Sequence, residues 1–158
     1  MRVALGLLVA LLVSGCAAQV EPDEWISAAA EAHERADKGL SAAEWDFARF
    51  SLIRVVESRA PAGLAAEDER AVRQDTLFRL SEIELLQGRA EGALEWANQG
   101  LDLGDGNDLF AANLHISRGR ALERLGQELE AAQAYHRALK INEQLLARVL
   151  GDSQGRSE

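Results

Sequence analysis

The chain has 158 residues, a size that fits one domain around one core and excludes a multidomain enzyme. It is 47% hydrophobic and 27% charged but only 5% aromatic, with 2 prolines, a makeup that favours helices over a β-sandwich. The formal charge of -9 lacks the basic footprint that nucleic-acid binding needs, and a solvated acidic surface accounts for it.

Met1 and Arg2 supply a short positive start, residues 3–13 form an uncharged apolar run, and Ser14 and Gly15 put small residues before Cys16. That order reads as a secretory leader over residues 1–15. The uncharged stretch 3–20 also reaches the lower bound of about 18 residues for a span, so a single transmembrane anchor is the competing reading. Cys16 is the only cysteine, so one chain builds neither a disulfide framework nor a Cys-rich zinc site. Leu12-Val13-Ser14-Gly15-Cys16 resembles the lipobox of bacterial lipoproteins. The resemblance implies a diacylglycerylated thiol at Cys16, cleavage before it, and acylation of the new amine. Ala17 in place of Asp further implies the outer membrane, facing the periplasm. Each buried acyl CH₂ contributes about 0.8 kcal/mol, so two or more chains hold a protein stably. Within the segment 16–22 of lipidated cysteine and tether, the six residues from Ala17 to Pro22 reach only about 20 Å when extended, which keeps the folded part near the bilayer.

From there to residue 150 the apolar residues recur at helical spacing and no stretch alternates as a strand does, which predicts an all-α domain of about six helices over 23–150. Pro22 suits a first helical turn, Trp25, Ala29, Ala32 and Ala36 follow as a stripe, and Gly39 is expected to end the helix. Ser41-Ala42-Ala43-Glu44 reads as a capping box for a second helix with Trp45, Ala48, Leu52 and Val55 inside. After the break at Pro61 and Gly63, a third helix starts near Ala66 with Glu67, Asp68 and Glu69 at its positive end, and carries Leu77, Leu80, Ile83 and Leu86 to Gly88. The fourth holds Ala90, Leu94, Ala97 and Leu101. Asn107 or Asp108 caps a fifth with Leu114, Ala121, Leu122 and Leu125, ending at Gly126. The sixth begins near Gln127 and presents Ala131, Tyr135, Ala138, Leu145 and Val149; residues 151–158 are a polar, frayed tail.

Gly88-Arg89-Ala90-Glu91-Gly92-Ala93 aligns with Gly126-Gln127-Glu128-Leu129-Glu130-Ala131, 38 residues on, as a repeat does. Residues 114–142, with Gly119, Leu122, Gly126, Ala131, Tyr135 and Ala138, resemble a tetratricopeptide repeat. An upstream copy carries Ser81, Ala93, Ala97 and Gly100. A first copy over residues 25–56 aligns Ala43 with Ala93, 50 residues apart, alongside Phe47 and Phe50. The resemblance implies antiparallel helix pairs stacked as a short solenoid; a non-repetitive bundle is the alternative.

Motifs for catalysis fall short. His33-Glu34-Arg35-Ala36-Asp37 lacks the second histidine of H-E-x-x-H. The residues 102–108 are oxygen-rich, but no glutamate stands where a calcium loop needs its bidentate ligand. Neither a dinucleotide fingerprint nor a phosphate loop occurs, and no catalytic residue, metal or cofactor is assigned.

In the repeat family the first helices of successive pairs line a groove for a peptide or helix. Matched residue by residue, that groove comprises Arg35, Phe78, Glu82, Leu85, Asn113, Ile116, Arg120 and Arg124, the last two able to hold a carboxylate. The sixth helix offers a second surface at Leu145, Leu146, Val149 and Leu150, for a partner or for a homodimer. The expectation is a lipid-anchored interaction scaffold binding an envelope protein, similar to pilotins or β-barrel assembly accessories. Its rival is a small envelope hydrolase or metal-binding protein using His33, Glu34 and Asp37.

Overall fold

A computed structural model describes residues 20–104 and 106–155, the last four without their side chains. The leader, Cys16 and nearly all of the tether lie outside these residues. The described chain is all-α: α1 (Pro22–Ser41), α2 (Trp45–Glu57), α3 (Ala66–Leu86), α4 (Ala90–Asp102), α5 (Leu109–Arg124) and α6 (Glu128–Gly155). Among the described residues no helix is long and apolar enough to cross a membrane. The helices form three antiparallel pairs, each stacked on the next as a short solenoid. Alanine-rich stripes let the pairs close tightly, and the main core joins Ala36, Ala48 and Leu52 to Leu77, Leu80, Ile83 and Leu114.

One turn occurs three times. After α1, α3 and α5 a residue enters the left-handed region, Ala43 at φ 59, Gly88 at φ 76 and Gly126 at φ 73. The amide that follows each of them reaches back to the helix carbonyl five residues earlier: Glu44 to Gly39 at 2.7 Å, Arg89 to Glu84 at 2.8 Å, Gln127 to Leu122 at 2.9 Å. Seven residues before each turn stands a small buried residue, Ala36, Ser81 or Gly119, and five residues after it Ala48, Ala93 or Ala131. The first copy is therefore registered on Ala43 with Gly88, and Ala48 rather than Ala43 answers to Ala93. Two expectations change with that register. Gly39 lies inside α1, where an added Cβ meets Ala48 at 3.2 Å, so it serves close approach and not termination. Ser41 ends α1, donating to the Asp37 carbonyl, and Glu44 caps α2 without a side-chain bond, so no capping box forms.

The two longer links between pairs lie against the start of α3. Arg73 donates to the carbonyls of Val56 (2.6 Å) and Ser58 (2.8 Å), its guanidinium lying over the Trp25 ring, while Gln74 donates to those of Gly100 (3.0 Å) and Gly104 (2.8 Å). Asp108 caps α5 by accepting from the Ala111 amide at 2.9 Å and also pairs with Arg70; Asn107 accepts from Arg137. Asn107 and Asp108 of the oxygen-rich stretch are in this way engaged by the chain itself. The sixth helix continues through Gly155, into the stretch expected to fray.

Candidate interaction surfaces

Of the residues matched to the family groove, those on α3 and α5 chiefly tie these two helices together. Glu82 accepts from Ser117 Oγ at 2.6 Å and pairs with Arg120. Arg124 donates to the carbonyl of Leu85. Leu85 itself is 1% exposed and packs with Ala93 and Ala121, so it belongs to the core and lines no groove. Phe78, Asn113 and Ile116 are half-buried, Phe78 against the main core. The arginines expected to receive a partner's carboxylate already hold groups of α3.

Arg35 lies elsewhere, with Trp25, Ala28, Ala29 and Ala32, on a cavity of about 470 Å³ between α1 and α2. Across from them stand Phe47, Phe50, Ser51, Arg54 and Val55 of α2, with Ser58 just after it. The floor is alanine and valine, and the wall is formed by Phe47, 48% exposed, and Phe50, 62% exposed. Arg35 pairs only with the exposed Glu31 one turn before it, and Arg54 has no ionic partner among the described residues. At 100° per residue these rim side chains lie on the flanks of α1 and α2 opposite His33, Asp37 and Arg49, which bond α3. The groove therefore opens at the end of the stack. Sequence stripes predicted the inward faces of both helices; the signal for the groove was Phe47 and Phe50, which fall outside the stripe of α2.

At the other end Leu145 packs against Ala111, Ala112 and Ile141. Leu146, Val149 and Leu150 are exposed, as is Leu139 two helical turns before Leu146.

His33, Glu34 and Asp37 do not converge. Glu34 pairs with Lys38 and Asp37 with Arg79 at 2.7 Å, while His33 sits 3.1 Å from Asp75 and 2.8 Å from Thr76 Oγ1. Asp, His and hydroxyl stand in the order of a nucleophilic triad, but the Thr76 hydroxyl is fully buried and donates to the Val72 carbonyl. Its geometry suits a strap between α1 and α3. Burial pushes the Asp75 carboxyl up, and the bond from His33 together with the charge and bond of Arg79 outweighs it, holding the group below its ordinary value. Glu84 behaves alike: burial is outweighed by Arg89 and Arg49, which reach it from the second turn and from α2. Among the described residues no three His, Cys, Asp or Glu side chains gather as a metal site requires.

Comparison with protein-family models, with curated proteins and with solved structures finds no match to this chain.

Proposed function

We propose that the protein is a lipid-anchored interaction scaffold of a bacterial envelope, tethered through Cys16 to the outer membrane and built of three tetratricopeptide-like helix pairs. The observation that carries this reading is the open apolar groove between α1 and α2. Two half-exposed phenylalanines over an alanine floor make the kind of concave apolar surface that takes a partner helix. The thrice-repeated turn, with small residues at fixed distances on either side, supports the repeat reading. The lipobox-like residues before Cys16 support the anchor, and pilotin-like or outer-membrane assembly roles fit both.

The test uses the full chain expressed in a bacterial host. Metabolic labelling with an alkyne fatty acid is expected to mark the wild type and not Cys16→Ala, which leaves the membrane fraction. Photocrosslinking from a photoreactive residue at position 50 is expected to join the chain to an envelope protein, and adding Phe47→Asp to that chain is expected to lose the product while keeping its helical spectrum. An unlabelled chain overturns the anchor. A labelled chain with no crosslink from position 50 overturns the groove.

A further inference from the structure

The two ends of this stack complement each other. On α6, Leu139, Glu143, Leu146 and Leu150 recur at steps of four, three and four, a single exposed ridge about 16 Å long. The groove on the first pair, from Trp25 to Arg35, runs about 15 Å along α1. Ridge and groove match in length, and three of the four ridge residues are exposed leucines that suit the groove's alanines and phenylalanines. Their charges match too. Glu143 on the ridge and Arg54 on the groove rim each lack an ionic partner among the described residues. Alanines at 28, 29 and 32 leave room for a helix backbone to approach, and leucines fill such a floor. Solenoid ends normally carry a polar outer face, whereas here Phe47 and Phe50 at one end and Leu139, Leu146 and Leu150 at the other stand exposed.

We infer that the groove's occupant is a second copy of this chain, seated head to tail with the α6 ridge of one molecule in the α1/α2 groove of the next. The inference rests on the reading of that groove as a protein-binding site and names its partner. Because ridge and groove are different surfaces, the contact is heterologous: a dimer keeps one free ridge and one free groove, and growth continues unless a ring closes.

The experiment is sedimentation of the full chain, purified from membranes in detergent, as wild type and as Phe50→Glu and Leu146→Glu. Both substituted positions are exposed, so helical spectra are expected to match the wild type. The wild type is expected to associate with rising concentration into species beyond a dimer, and each variant alone to stay monomeric. Mixing the two variants is expected to produce a one-to-one dimer that grows no further, since one intact ridge meets one intact groove and both remaining ends are blocked. Exchange of charge, Arg54→Glu with Glu143→Arg, is expected to restore association that either change alone weakens.

A monomeric wild type overturns the inference. So does a Phe50→Glu chain that still dimerises, because α6 then pairs with α6, and so does a variant mixture that stays monomeric. A monomeric wild type that still crosslinks from position 50 to another envelope protein removes the second copy and leaves the scaffold standing. Loss of both the crosslink and self-association removes the groove reading itself.

Discussion

Ala43 holds the left-handed turn position that glycine holds at 88 and 126. An L side chain there costs about 1–2 kcal/mol, and glycine gives back part of that gain through a freer unfolded chain. An added Cβ at Gly88 or Gly126 meets nothing within 4 Å, so backbone conformation alone selects the residue. Ala43→Gly is therefore expected to stabilise the protein by about 1 kcal/mol in urea titration, and Gly88→Ala to destabilise it by a similar amount. An unchanged midpoint in both argues that the turn is relaxed. Gly119 is small for another reason: a Cβ there falls 2.5 Å from the Tyr135 ring, where α5 and α6 touch. Glycine in the sequence marked the last two turns and alanine concealed the first, which is why the first copy was registered five residues out of place.

Among the elements, α3 carries most of the polar bonds between pairs, and its buried side includes Gln74, Thr76, Ser81 and Glu84 beside the leucines. The helix itself was legible from Leu77, Leu80 and Ile83, because apolar spacing reports directly on a buried stripe. Its partners were not, since His33 with Asp75, Arg49 with Glu84 and Glu82 with Arg120 join residues 35 to 42 positions apart and no local pattern encodes them. The open groove was hidden for a related reason: a stripe says which flank faces in, and not that the other flank lacks a neighbour. Asp75 and Glu84 are both held below their ordinary values of 3.8 and 4.5. A carboxylate depressed on folding stabilises fully above its unfolded value and loses that contribution as pH falls through the folded one. Wild type is thus expected to lose more stability between pH 5 and about 3 than Asp75→Asn does, read as the shift in urea midpoint. Equal losses count against the strap.

At the scale of the whole molecule the stack is thin, each pair resting on its neighbours alone, and its two ends differ. α6, with 28 residues, is about 42 Å long, against about 24 Å for the 16 residues of α5, so its last turns extend past the pair. The all-α class and the stacking of pairs were legible from periodicity and the 38-residue offset; the overhang was not, because the polar composition after residue 150 masks a continuing helix. The recurring turn has a consequence for the length of the protein. Residues 89–126 begin just after one left-handed turn and end on the next, so the segment starts and finishes in the same backbone geometry. A second copy of 89–126 spliced in after Gly126 is expected to add two helices and melt with the rest as one transition, followed by circular dichroism. A separate transition for the inserted piece tells against interchangeable junctions. A chain with such junctions is measured out in whole units, so evolution or design can lengthen it by copying a segment while the joints stay as they are.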